Sequence, residues 1–248
     1  MKTRQFAYLA ISLLALIAMV ASCQASSDTV VVATDATWPP MEYVNEDREI
    51  VGYDIDLMTA IAEKAGFEVE FRNVAWDGIF AGLAAGEYDA VISSVTITDE
   101  RRENYDFSEP YINAGQIVVV RVESGITGPD DLQGSVVGAQ ISTTGAFAIQ
   151  DMEDVELREY DEVGLAFEDL VAGRIDAVVC DTPVAADFAL QRDEYKAALK
   201  IVGEAFTDEY YGILVQKGNT ELLDKINEGL AAVQAEGIDQ ALEAEWLR

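Results

Sequence analysis

The 248-residue chain contains no histidine. That excludes a Ser-His-Asp or Cys-His nucleophile, a His-ligated zinc and an imidazole pH switch. Cysteine is almost absent as well. Cys23 and Cys180 are the only two, too few for a disulfide framework or an all-cysteine metal site. No metal or cofactor is expected. Basic residues are scarce, 16 Lys+Arg against 46 Asp+Glu, for a formal net charge of −30. Such a surface repels phosphates, so a nucleic-acid partner is not expected. What is plentiful is apolar side chain. Half the residues are hydrophobic, enough for one large core or two small ones and too many for a disordered chain.

Long hydrophobic runs are confined to the N-terminus. Lys2 and Arg4 precede an apolar stretch from Phe6 to Ala21. Its length alone would permit a transmembrane helix. Its position and small-residue ending read instead as a signal peptide over 1–22. The ending Val20-Ala21-Ser22-Cys23 resembles a bacterial lipobox, in which the cysteine is lipidated and the chain is cut just before it. An ordinary cleaved signal with a coincidental cysteine is the alternative. Residues 23–29 read as a polar tether. Cys180, without a partner once Cys23 carries lipid, is expected to be a small buried residue. The rest of the chain is expected to be a soluble domain held at a membrane surface.

Beyond the tether, β-rich runs alternate with helical patterns. The spacing predicts strands at Thr29–Thr34, Phe67–Phe71 and Asp89–Ser93. Helices are expected over Asp54–Ala65, ended by Gly66, and Trp76–Ala85, ended by Gly86. The second half restarts the pattern. Strands are expected at Gln116–Val122, within Gly134–Gln140, and at Arg174–Cys180 and Tyr210–Val215. Helices are expected from Thr143, over Glu162–Ala172 and Pro183–Leu190, and at the end over Glu221–Ala235 and Ile238–Leu247. This order predicts an α/β protein with parallel-type sheets flanked by helices, in two lobes rather than one continuous sheet.

Ligands of open α/β sheets bind beyond the carboxyl ends of strands. The polar residues that follow strands are Asp35; Ser93, Ser94, Thr96 and Arg101; Ser142, Thr143 and Thr144; and Asp181. Arg101 suits a carboxylate. A helix starting at Thr143-Thr144-Gly145 offers N–H groups to an anion. Asp181 suits an ammonium, and Trp38 and Trp76 offer flat apolar walls. Together they describe a pocket for an amino acid. Each residue also has an ordinary reading. Arg101 sits in a charge run that would face solvent, Thr143, Thr144 and Asp181 are plausible N-caps, and Trp76 would suit a core. In Gly52-Tyr53-Asp54-Ile55-Asp56-Leu57, Asp54 and Asp56 do not share a helix face. Asp54 is expected to cap the helix and Asp56 to be solvated or hydrogen-bonded.

That segment, together with Asp89-Ala90-Val91-Ile92-Ser93-Ser94, Thr96-Ile97-Thr98, Arg101, Phe107-Ser108-Glu109-Pro110-Tyr111, Thr143-Thr144-Gly145 and Asp176 to Asp181, resembles the type-3 extracellular solute-binding proteins. Those are the polar amino-acid receptors of ABC importers, and the resemblance covers nearly all of the chain after the leader. It implies a two-lobed periplasmic-binding-protein fold (type II). Lobe 1 would comprise 30–115 and 210–248, lobe 2 would comprise 116–209, and the hinge would lie near Gly115-Gln116 and Asp208–Tyr211. It implies that Arg101 holds the α-carboxylate with Thr96 and the amide or hydroxyl of Thr144. Asp181 would hold the α-ammonium with the Ser94 carbonyl, Trp38 and Trp76 would enclose the side chain, and Asp35 would face its far end. Ser142 stands where the family has a glycine. The implied partners are an L-amino acid, ABC permease subunits and, through Cys23, a membrane, with the receptor a monomer in the cell envelope.

Indole walls, Asp35 and the acidic field favour arginine or lysine, with glutamine or another polar neutral amino acid as the alternative. The net charge also has a second reading, a saline habitat. An acidic ligand is not expected, for want of a second cationic side chain. Some proteins similar to these receptors are cyclohexadienyl-type dehydratases, which need a general acid in the cleft. Where that branch would have a carboxylic acid three residues past Asp181, this chain has Val184, so no enzymatic activity is expected; Asp35 and Glu42 are the candidate acids of the enzyme alternative.

Overall fold

The computed structural model describes residues 29–247. The signal segment 1–22, the Cys23 lipidation site and the tether up to Asp28 lie outside the described residues. Among the described residues, no helix is long and apolar enough to cross a membrane.

The run TVVVAT at Thr29–Thr34 buries every residue from Val32 to Thr34, the pattern of a central strand covered on both faces. It pairs in parallel with Glu68–Asn73 on one side and Ala90–Val91 on the other. The five-stranded sheet runs Glu68–Asn73, Thr29–Thr34, Ala90–Val91, Leu214–Gln216, Tyr105–Phe107, the last two joining antiparallel. A second five-stranded sheet is drawn wholly from the middle of the chain. Its order is Glu156–Tyr160, Val136–Gln140, Ala177–Asp181, Gln116–Arg121, Leu199–Val202. The first three strands are parallel, and Gln116–Arg121 runs against its neighbours.

Helices cover the faces. Tyr53–Ala65 buries Ile55, Met58, Ile61 and Ala62 along one stripe and ends at Gly66 in the left-handed conformation, as its periodicity predicts. It packs against Thr220–Ala235 and Ile238–Trp246, and Trp246 Nε1 donates to Asp56 at 2.8 Å. The C-terminal helices thus cover the first sheet. In the second half, the fully buried Phe167 ring stacks on Phe188 with centroids 4.0 Å apart and planes 6° from parallel. Phe167→Ala should cost about 3–5 kcal/mol of stability, read from the urea midpoint at unchanged slope. A loss below about 1 kcal/mol would mean that this stack is not what holds the helix Val163–Val171 to its sheet.

The chain passes between the sheets twice, after Phe107 and after Val202. There Ile112–Asn113 pairs antiparallel with Tyr210–Tyr211. Gly115 lies so close to the returning segment that a Cβ would fall 2.2 Å from the Thr207 carbonyl oxygen, so the two crossings pack backbone to backbone.

The structure corrects several expectations. Tyr210–Val215 is two strands, Tyr210–Tyr211 in the crossing and Leu214–Gln216 in the first sheet. The Gly212 N–H between them donates to the Val95 carbonyl at 3.0 Å and leaves both ladders. Only Ala90–Val91 of Asp89–Ser93 is a strand; the Ile92 N–H still donates to the Ala33 carbonyl at 3.1 Å, and the Ser93 hydroxyl turns to Glu42. Pro183–Leu190 is an α-helix over Thr182–Ala186 that widens to a π-turn at Asp187–Gln191. Asp54 is not a cap, since Gly52 holds that position. Asp54 is instead fully buried, accepting from the Ser94 N–H at 2.8 Å and the Tyr111 hydroxyl at 2.9 Å. Sequence reasoning missed the small sheet of Thr37–Trp38, Glu42–Val44 and Ile50–Val51 and the short helix Asp99–Asn104.

Candidate functional site

Between the sheets lies a narrow cavity of about 20 Å³, a cleft nearly closed on itself. Asp35, Trp38, Trp76, Ser94, Thr96, Arg101, Thr144 and Asp181 all line it. Glu42, Ser93, Gln140 and Thr143 complete the wall.

Each side chain is placed by the end of an element. Arg101 lies in the helix Asp99–Asn104, whose N-cap Thr98 accepts from the Arg101 N–H. The helix turns the guanidinium inward rather than to solvent. Nη1 donates to the Thr96 carbonyl at 2.8 Å and Nη2 to the Ser142 carbonyl at 3.3 Å. Its carbon lies 5.6 Å from the Trp76 ring centroid and 5.1 Å from that of Phe80. Burial lowers its pKa to about 10, while Asp181, Glu209 and Glu100 act in the opposite direction. It remains a cation at neutral pH.

On the facing half, Thr143 is the N-cap of Thr144–Gln150, accepting from the Ala146 N–H at 3.2 Å. Ser142 before it sits at φ 57°, the left-handed conformation that suits glycine and costs other residues strain. Asp181 ends the buried strand Ala177–Asp181 and occupies an N-cap position, but its side chain makes no cap hydrogen bond. Its Oδ1 accepts from Gln116 Nε2 at 2.9 Å. Burial, followed by the nearby Glu209, raises its pKa to about 8.

The two halves touch across the cleft. Gln140 Nε2 donates to Asp35 Oδ2 at 3.0 Å, and the Thr96 and Thr144 hydroxyls lie 3.3 Å apart. Asp35 also accepts from the Thr37 hydroxyl. Burial raises its pKa to about 6, and Glu162 and Asp77 add to the shift. Beyond Asp35 and Trp76, which line both spaces, a larger mouth of about 480 Å³ carries Asp77, Asp161 and Glu162. Glu42 is completely buried and accepts from the Ser93 and Ser94 hydroxyls at 3.1 and 3.2 Å. Burial, then the charges of Asp54 and Asp35, push its pKa well up.

The cavity thus holds a guanidinium with helix-start amides, buried carboxyl groups and two indole faces. Among the described residues lining it, Arg101 is the sole cation. The ordinary readings divide. Arg101 is not a solvent-facing residue, and Thr143 is a cap. Trp76 is both core, packed with Ile79 and Leu83, and wall. Cys180 is a buried free thiol. Gln140 was within reach of sequence reasoning, because it is the polar last residue of Val136–Gln140. Glu42 enters from the sequence only as a candidate acid of the enzyme alternative, because the short strand that carries it has no periodic signal.

Comparison with known proteins agrees with this architecture. The model for bacterial extracellular solute-binding proteins, family 3, matches residues 30–248. The L-cystine-binding protein of Escherichia coli (strain K12) is 34% identical over 221 residues, 88% of this chain and 82% of that protein. The ABC transporter arginine-binding protein 1 of the same strain is 35% identical over 240 residues, 94% of this chain and 97% of that protein. The structure of an ancestral arginine-binding protein bound to arginine has a TM-score of 0.83 at 41% identity, covering 89% of this chain and 98% of that one. With two helix-flanked sheets, a cleft between them and a family match that spans both, the chain belongs to the bacterial extracellular solute-binding proteins, family 3.

Proposed function

We propose that this protein is the receptor subunit of an ABC importer for L-amino acids, and that its ligands are the basic ones, arginine and lysine. The observation that carries this is the cavity between the halves. Arg101 stands in it on one half, the Thr144 helix start and Asp181 on the other, and the remaining ionisable groups are acids. An α-carboxylate pairs with Arg101 and an α-ammonium with Asp181. The side chain passes between Trp38 and Trp76, where a cation is attracted to the indole faces, and its charge reaches Asp35 beside the acidic mouth.

Hydrogen-bonding groups on both halves give the ligand its work. In this reading residues 30–115 and 210–248 form one lobe and 116–209 the other, hinged near Gly115-Gln116 and Asp208–Tyr211. A zwitterion that touches both lobes favours the closed form, because only that form offers all its contacts at once. The closed form is the one read by the permease. Cys23 carries the lipid that keeps the monomeric receptor at the membrane surface of the cell envelope.

The relatives support an amino-acid ligand without choosing among side chains. Cystine, named for one of them, carries a second carboxylate, and no second cation among the described residues lining the cavity meets it. That favours a ligand with a cationic far end. Asp35→Asn tests the choice. It should weaken arginine and lysine about tenfold while leaving glutamine within about twofold, by titration calorimetry. An equal loss for all three would remove Asp35 as the selector.

A further inference from the structure

We propose that Glu209 is a positioning residue for the ligand's α-ammonium, acting by fixing the direction of two threonine hydroxyls that border the cleft. The inference rests on the amino-acid-receptor reading above. Glu209 does not line the cavity. It sits on the returning crossing, where its carbonyl accepts from the Ala114 N–H at 2.8 Å. Its Oε2 accepts from Thr144 Oγ1 at 2.6 Å and from Thr96 Oγ1 at 3.1 Å. One carboxylate on the crossing therefore holds a hydroxyl from each side of the cleft.

Proton counting sets the consequence. A threonine hydroxyl has one proton to give and two lone pairs. The Thr144 proton goes to Glu209, and the same hydroxyl accepts from Gln116 Nε2 at 3.1 Å. The Thr96 proton goes to Glu209 or, across 3.3 Å, to Thr144. In either case both protons are spent on the protein. Neither hydroxyl has one left for a ligand carboxylate, and Thr96 offers the cleft a lone pair. Gln116 Nε2 extends the network to Asp181 Oδ1 at 2.9 Å. It reaches there because Gly145 has no side chain, a Cβ at that position falling 2.6 Å from Gln116 Oε1.

The cleft is thereby sorted into two ends. Arg101 and the Thr144 backbone N–H form the donor end, which takes the carboxylate. Asp181 and the Thr96 hydroxyl form the acceptor end, which takes the ammonium. This reassigns the side-chain hydroxyls of Thr96 and Thr144 away from the carboxylate. Without the Glu209 carboxylate, both hydroxyls are free to turn and donate, and the acceptor end loses its definition.

The test compares L-arginine with 5-guanidinopentanoic acid, the same molecule without its α-amino group, by titration calorimetry on wild type and Glu209→Gln. The expected result is at least a tenfold loss for arginine and less than a twofold loss for the deaminated analogue. A double-mutant cycle separates the hydroxyl mechanism from the plain loss of a negative charge. Thr96→Val should weaken arginine several-fold in wild type and have almost no further effect once Glu209 is Gln. The single variant Thr96→Val, read with the same pair of ligands, gives the discrimination independently should Glu209→Gln fold poorly. Equal losses for both ligands, or Thr96→Val costs that simply multiply with those of Glu209→Gln, overturn the inference and leave the receptor reading standing. A wild-type protein that binds no amino acid overturns both.

Discussion

Arg101→Ala should weaken every amino-acid ligand by at least about a hundredfold, whatever its side chain. Hydrogen bonds to charged groups contribute about 1.5–3 kcal/mol each, and each 1.4 kcal/mol is tenfold in Kd. The planar guanidinium is aimed by two carbonyls, Thr96 and Ser142, and braced against Trp76 and Phe80. It is therefore set before the ligand arrives, which limits the ordering cost of binding. Among the described residues lining the cavity no other cation substitutes for it. Arg101→Lys should recover little, because an ammonium does not match a carboxylate at two points. Titration calorimetry with arginine, lysine and glutamine checks this. A loss confined to one of them would move Arg101 from the shared end of the ligand to its side chain.

Asp181→Asn should weaken binding by a similar factor and also alter how stability depends on pH. Burial raises the pKa of Asp181 to about 8 and that of Asp35 to about 6, above the unfolded value of about 3.9. Between those values the native protein binds more protons than the unfolded chain. Stability therefore rises as pH falls and is lost as pH climbs through the native pKa. The ligand-free protein should melt at progressively higher temperature from about pH 8 down to about pH 5. In Asp181→Asn that rise should be shallower between about pH 8 and 6, and the part carried by Glu42, Asp54 and Asp35 should remain. A saturating amino acid should flatten the same upper portion in wild type, because its ammonium favours the ionised carboxylate. A melting temperature independent of pH in this window would mean that Asp181 is charged in the native cleft already.

Much of this was legible in the sequence, for identifiable reasons. The strands Thr29–Thr34 and Gln116–Arg121 and the helix Tyr53–Ala65 announce themselves by apolar period and by closing glycines. Residues such as Arg101, Thr144 and Asp181 follow strands or open helices in an α/β chain, which puts each at the ligand-facing end of its own sheet. What stayed hidden is set by contacts distant in sequence. The strand Leu214–Gln216 joins a sheet begun at Thr29, and no local pattern separates it from Tyr210–Tyr211 across Gly212. Asp54 looked like a cap because short polar residues at helix starts usually are. The backbone N–H of Ser94, 40 residues away, claims it instead. Glu42 is buried by Ser93 and Ser94, 51 and 52 residues away, and Glu209 gains its threonine partners only where the chain recrosses, so no local pattern marks the surroundings of either.

Thermal melting of ligand-stripped protein against the twenty L-amino acids decides whether this is an amino-acid receptor for basic side chains. A ligand at a hundred times its Kd adds about 2.7 kcal/mol, which is about 5–10 °C for a protein of this size. The account predicts such a shift with arginine and lysine and a smaller one or none with the rest. Unchanged melting across the whole panel would contradict it.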